Sequence, residues 1–208
     1  MEPVLVNASI VVLMSHPGPG TFTPQFFKKH GLFQELALVN QVIVPVITQY
    51  AFEGGIFFEA VEDRVKIECH NTDTDTKQAT DDDTHIGSVQ NLAIPLFESI
   101  DYMAPTAIGL NFQFRLGASE SLQSFVPTLS DKFQVRQTVL RHQDGDRQLN
   151  LIFGVVEGIN PQELAVEANM HYQLTGDAPE HIIGVIKRMP AALGEVRSEL
   201  AEIARRIN

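Results

Sequence analysis

Five aspartates, Asp73, Asp75, Asp81, Asp82 and Asp83, form the densest group of carboxylates in the chain. Calcium loops supply oxygens at alternate positions, turn on a central Gly and close with a bidentate Glu. Here Lys77 stands where a third ligand belongs, no Gly turns the run and no Glu closes it. The stretch Asn71–Asp83 therefore reads as a solvated acidic loop. Cys69, His70 and His85 offer softer ligands. Adjacent residues of a strand point to opposite faces, which keeps Cys69 and His70 off a common ion. No Cys-x-x-Cys or His-Glu-x-x-His spacing is present, and no metal site or cofactor is expected.

Nucleophile chemistry has equally little to build on. Gly117-Ala118-Ser119-Glu120-Ser121 has the start of a nucleophile elbow but lacks the closing Gly that the strand-to-helix turn requires, so Ser119 reads as a helix cap. Gly18-Pro19-Gly20 is no phosphate cradle, because Pro19 removes a backbone donor, and His16 beside it reads as a surface residue. Glu163 and Glu167 share a strand face, but four residues along a strand is about 13 Å, too far for a direct acid–base pair. His171 lies on that face with Asn111 and Asn169 as neighbours, without a demonstrable partner or pocket. No catalytic residue is assigned.

The elements that carry these residues come in a recurring order. Val4–Leu13 is a strand with Asn7 and Ser9 on one face and Val6, Ala8, Ile10 and Val12 on the other. Thr23-Pro24 starts a short helix that stops near Gly31. Val42–Phe52, Ile56–Val61 and Arg64–Cys69 read as strands joined at Gly54-Gly55 and Glu62-Asp63. Ile86 to Ile100 have helical spacing, kinked or divided at Pro95.

The second half opens with the strand Thr106–Phe114. A short helix after Ser119 is followed by Lys132–Gln143 and Arg147–Val156, a hairpin about Asp144-Gly145. Leu164, Val166, Ala168, Met170 and Tyr172 alternate with polar residues in a third strand. Asp177-Ala178-Pro179-Glu180 forms a capping box. Pro190 kinks that helix or begins another, bearing Leu193, Val196, Leu200, Ile203 and Ile207. Two heptads are too few for a coiled coil, so this helix is expected to pack on its own sheet.

Residues 4–101 and 105–207 thus read as two similar β-α-β-β-β-α halves of one globular unit, residues 1–208. The fold class is α+β, a mainly antiparallel sheet with helices packed on one face. The halves match in element order rather than residue identity. A pseudo-twofold arrangement follows if both first strands lie at the centre. The opposite face then carries Asn7, Ser9, Asn111, Gln113, Asn169 and His171, a polar, mostly uncharged surface of the kind that antiparallel sheets turn to water.

The 208 residues are 44% apolar and 20% charged, an ordinary globular composition with a formal net charge of −11. Ten acids against three bases in residues 53–83 account for most of that charge. A basic partner could use this region, although solubility alone explains it. Nucleic-acid binding is not expected, since Lys187, Arg188, Arg197, Arg205 and Arg206 are diluted by Glu195, Glu199 and Glu202. The single Cys69 excludes an intrachain disulfide. Val4–Met14 is too short to span a bilayer as a helix and lacks a basic leader. The expected compartment is the cytoplasm, without membrane association.

Pro45, the strand through Ala51-Phe52, Gly55-Ile56-Phe57-Phe58-Glu59, Tyr102 and Ala107-Ile108-Gly109-Leu110-Asn111-Phe112 resemble a group of uncharacterised bacterial proteins, over roughly residues 10–115. The resemblance implies a bacterial source and brings no activity with it. The leading expectation is a non-enzymatic protein-interaction or structural protein, with a protein partner or a homo-oligomer, acting through the polar sheet face or the acidic 53–83 region. The alternative is a small-molecule-binding protein or enzyme with a pocket between the two halves, using His171 or His16.

Overall fold

The computed structural model describes residues 3–14, 16–71, 82–117, 128–130, 133–134, 137–155, 163–174 and 179–207. Their strands are β1 (Val4–Met14), β2 (Leu38–Val44), β3 (Ile47–Phe52), β4 (Ile56–Val61), β5 (Arg64–His70), β6 (Pro105–Gly117), β7 (Thr128–Ser130), β8 (Phe133–Gln134), β9 (Gln137–Asp144), β10 (Arg147–Val155) and β11 (Glu163–Gln173). The helices are α1 (Pro24–Lys29), α2 (Asp82–Glu98), α3 (Pro179–Lys187) and α4 (Met189–Ile207).

Nine strands form one antiparallel sheet in the order β2-β3-β4-β5-β1-β6-β11-β10-β9, while β7 and β8 pair separately. The first strands of both halves, β1 and β6, are therefore central neighbours. Four strands, β2 to β5, extend beyond β1 and three extend beyond β6. The first half thus carries one strand more than expected: Val42–Phe52 is not one strand but parts of two, folded back at Pro45-Val46. Proline cannot continue a central ladder, which is why the chain turns there.

Paired residues of an antiparallel sheet share a face, and here one face is wholly apolar at the centre. Ala8, Ile10 and Val12 pair with Phe112, Leu110 and Ile108, and these with Ala168, Met170 and Tyr172. All are buried. A register shift between Leu5 and Asn7 takes Val6 out of the alternation, so that Leu5 rather than Val6 is buried opposite Phe114.

All four helices cover this apolar face. In α1, Thr23 caps the first turn by accepting the Phe26 N–H at 3.2 Å, and Pro24 fills the first helical position. Its Phe27 packs edge-on against Tyr50 and Phe58. The Tyr50 hydroxyl donates to the Phe22 carbonyl at 3.0 Å, fastening the segment before α1 to β3. α2 packs on β1 and β5 as one helix with Pro95 inside it. It begins at Asp82, so Asp82 and Asp83 belong to its first turn rather than to a loop.

Pro190 lies in the first turn of α4, after a break at Arg188 that ends α3. Ala192, Leu193, Val196 and Leu200 of α4 are buried on the protein's own core. Arg147 of β10 bonds Glu195 at 2.6 Å, and Arg197 bonds Asp82, tying α4 to the sheet and to α2. The hairpin turn falls at Gly145-Asp146, one residue later than expected, with Gly145 at φ 61°. The expected helix after Ser119, the capping residues Asp177 and Ala178 and most of the acidic loop lie outside the described residues.

Candidate functional site

Among the described residues no helix lies over the centre of the other face of the sheet, which carries all six polar residues expected there; Asn7 and Ser9 are buried in it. Alternation places Asn7 and Ser9 of β1, Asn111 and Gln113 of β6, and Asn169 and His171 of β11 on that side. The ladder then brings them together. Asn7 pairs with Gln113, and Ser9 with Asn111. Asn111 pairs with Asn169, and His171 with Gly109. One cross-strand row runs Glu68, Ser9, Asn111, Asn169, Asn150, Arg141 over β5, β1, β6, β11, β10 and β9.

Amide and hydroxyl groups bond along this row. Asn111 Nδ2 donates to Ser9 Oγ at 3.4 Å. Asn150 Oδ1 accepts from Arg141 Nε and Gln148 Nε2, both at 3.0 Å. Asn7 Nδ2 donates to Glu68 Oε2 at 3.3 Å and Gln113 Oε1 at 3.4 Å. The opposite ends of two of these amides are unused: Asn7 Oδ1 and Asn111 Oδ1 are buried without a hydrogen-bond donor among the described residues.

Gly109 gives the row a notch. It sits between Val11 and His171 in register. A methyl at its Cα would meet Asn111 Oδ1 at 3.6 Å and Asn169 Oδ1 at 3.7 Å, ordinary contact distances. The missing side chain leaves these two amide oxygens without a side chain packed against them from Gly109.

Glu68 is the charged anchor of the site. It is 6% exposed, although it lies on the uncovered face. Lys66 Nζ reaches its Oε2 at 2.6 Å and His70 Nε2 its Oε1 at 3.2 Å. Burial pushes its carboxyl up, but hydrogen bonds from His70, Lys66 and Asn7, with the Lys66 charge, outweigh burial and hold it down at about 2. Glu59, further out, takes Gln49 at 2.8 Å and Arg64 at 3.1 Å. The two carboxylates are thus compensated where they stand.

Glu68, Lys66, His70, Gly109, Gln148 and Asn150 join the six expected residues. The alternation Val65, Ile67, Cys69 against Lys66, Glu68, His70 puts the first three of them on one polar strand face. Cys69 and His70 do diverge: the thiol is buried, and its pKa is raised by burial, while His70 faces the open side. Glu167 pairs with Gln113; the Glu163 side chain lies outside the described residues. His16 is exposed in its loop.

Two clefts lie away from this face. One, of about 540 Å³, opens between the β9–β10 turn and α3, with Arg147, Tyr172, His181 and Arg188 in its wall. The other, of about 320 Å³, lies between residues 31–36 and α2. Each is lined from one half, and neither by His171 or His16, so neither is the inter-half pocket that the small-molecule reading requires. Among the described residues no helix is long and apolar enough to cross a membrane. No protein-family model matches the chain, and no curated protein matches it.

Proposed function

We propose that this is a non-enzymatic interaction protein that docks a polypeptide partner on the sheet face that no described helix covers. The observation carrying this reading is the cross-strand row of polar side chains, Ser9, Asn111, Asn169 and Asn150, on a face that no described helix covers. Asn111, Asn169 and Asn150 are half-buried, so each offers part of its side chain to a partner. The fitting partner presents backbone or side-chain amide donors, since Glu68 and Glu59 already hold basic side chains. The central position of β1 and β6 supports descent of the two halves from one duplicated unit. The single shared sheet supports one globular unit, and the lone buried Cys69 supports a reducing cytoplasm.

The experiment is affinity capture from the native host with wild-type protein and with Gly109→Ala. The added methyl is tolerated at the distances above but fills the notch. A stoichiometric partner held by the wild type and lost by the variant supports the proposal. A partner held equally by both moves the interface elsewhere. No partner at all turns attention to the cleft at α3, for which a thermal-shift screen of metabolites is the next step.

A further inference from the structure

Among the described residues β2 forms one edge of the sheet, with β3 alone beside it. All seven of its residues are exposed. Leu38, Val39, Val42, Ile43, Val44 and the neighbouring Val46 are between 41% and 68% exposed. From Leu36 to Phe52 the chain has no charged residue. Edge strands carry unpaired backbone groups and are ordinarily blunted by charge, proline or bulges. Here the one register shift lies at the Leu38 end and Pro45 follows the last residue, so Asn40–Val44 run in unbroken register against β3. One donor is used locally, the Gln41 N–H on Asn40 Oδ1 at 2.8 Å.

We propose that β2 pairs antiparallel with β2 of a second copy, joining two nine-stranded sheets across a twofold axis. Charge selects the occupant. The chain carries −11, and two copies meet with least repulsion where neither brings any of that charge. A neutral strip offers nothing to a charged partner, whereas its own copy matches it in polarity along the whole strand. Pairing β2 with the opposite edge is disfavoured, because β9 would set Arg141, His142 and Asp144 against Val and Ile. That arrangement would also run head to tail, whereas the β2–β2 contact closes as a dimer. Side chains leave β2 on both faces, so a second copy covers apolar surface on each side of the sheet.

Sedimentation velocity over a wide concentration range tests this on the full chain, with Val42→Lys and, on the opposite edge, Val139→Lys. The expected result is a wild-type dimer that dissociates on dilution, a Val42→Lys monomer at every concentration, and Val139→Lys indistinguishable from wild type. Hydrogen exchange on the wild type gives an independent reading: amides of residues 38–44 gain protection as concentration rises. Should Val42→Lys misfold, this exchange result decides the matter. A wild type that is monomeric throughout overturns the proposal. So does a dimer that survives Val42→Lys, or an assembly abolished by Val139→Lys.

Discussion

Glu68 links the sheet face to a measurable pH dependence. Its folded-state pKa of about 2 lies below the ordinary value of 4.5, so the group stabilises the fold when ionised. That contribution is fully present above pH 4.5 and is lost as pH falls toward 2. A difference of about 2.5 units corresponds to about 3 kcal/mol at neutral pH, an upper figure because solvent reaches the half-exposed His70 and screens its part. By pH 3 about 2 kcal/mol of it is gone.

Other carboxylates titrate in the same window, so the quantity to measure is a difference. Urea denaturation of wild type and Glu68→Gln at a series of pH values isolates Glu68. The amide keeps the shape and one acceptor oxygen but cannot ionise. The variant should be less stable at pH 7, and the gap should narrow by about 2 kcal/mol on going to pH 3. A gap that stays constant with pH would refute the reasoning, because the carboxylate would then not be held ionised by Lys66, His70 and Asn7.

Thr23→Ala removes the acceptor for the Phe26 N–H and should cost about 1 kcal/mol in chemical denaturation, with the same sheet content by circular dichroism. Leu200→Glu puts a charge where α4 is buried against the core; it should lower the melting temperature markedly without changing the association state. Gly109→Ala should be neutral or stabilise by about 0.4–1 kcal/mol, since the strand backbone accepts a Cβ and the unfolded chain loses freedom. Calorimetry on the three variants checks the stabilities, and sedimentation velocity on Leu200→Glu checks its association state.

Local pattern carried most of the architecture. The alternation in residues 164–172, the cap at Thr23 and the turn at Gly145 are short-range signals, and the elements they mark are present. Val42–Phe52 shows where pattern misleads: β2 ends in Val42, Ile43 and Val44, and β3 brings Ile47, Tyr50 and Phe52, so the run reads as one apolar strand. Pro45, which cannot lie inside a ladder, was the available sign of the turn. Val6 escaped for another reason, since a bulge shifts alternation by one without any residue type announcing it. The duplication read from element order fits the central pair β1 and β6, yet the strand numbers on either side differ.

The site was legible within strands and illegible between them. Alternation assigns Asn7, Ser9, Asn111, Gln113, Asn169 and His171 to faces, but the lateral order that puts β5 beside β1 depends on pairing over about sixty residues of chain. Glu68 therefore counted only as one of many acids, although that placement buries it and surrounds it with Asn7, Lys66 and His70. The same placement alters what the net charge means. Glu59 and Glu68 are neutralised locally, and Asp82 is held by Arg197, so the central row presents amides rather than the acidity of residues 53–83. Screening at physiological salt weakens exposed charge pairs beyond about 8 Å but leaves short amide contacts intact. A partner docked on this row should consequently stay bound as salt is raised, and one released by moderate salt is held by some other surface.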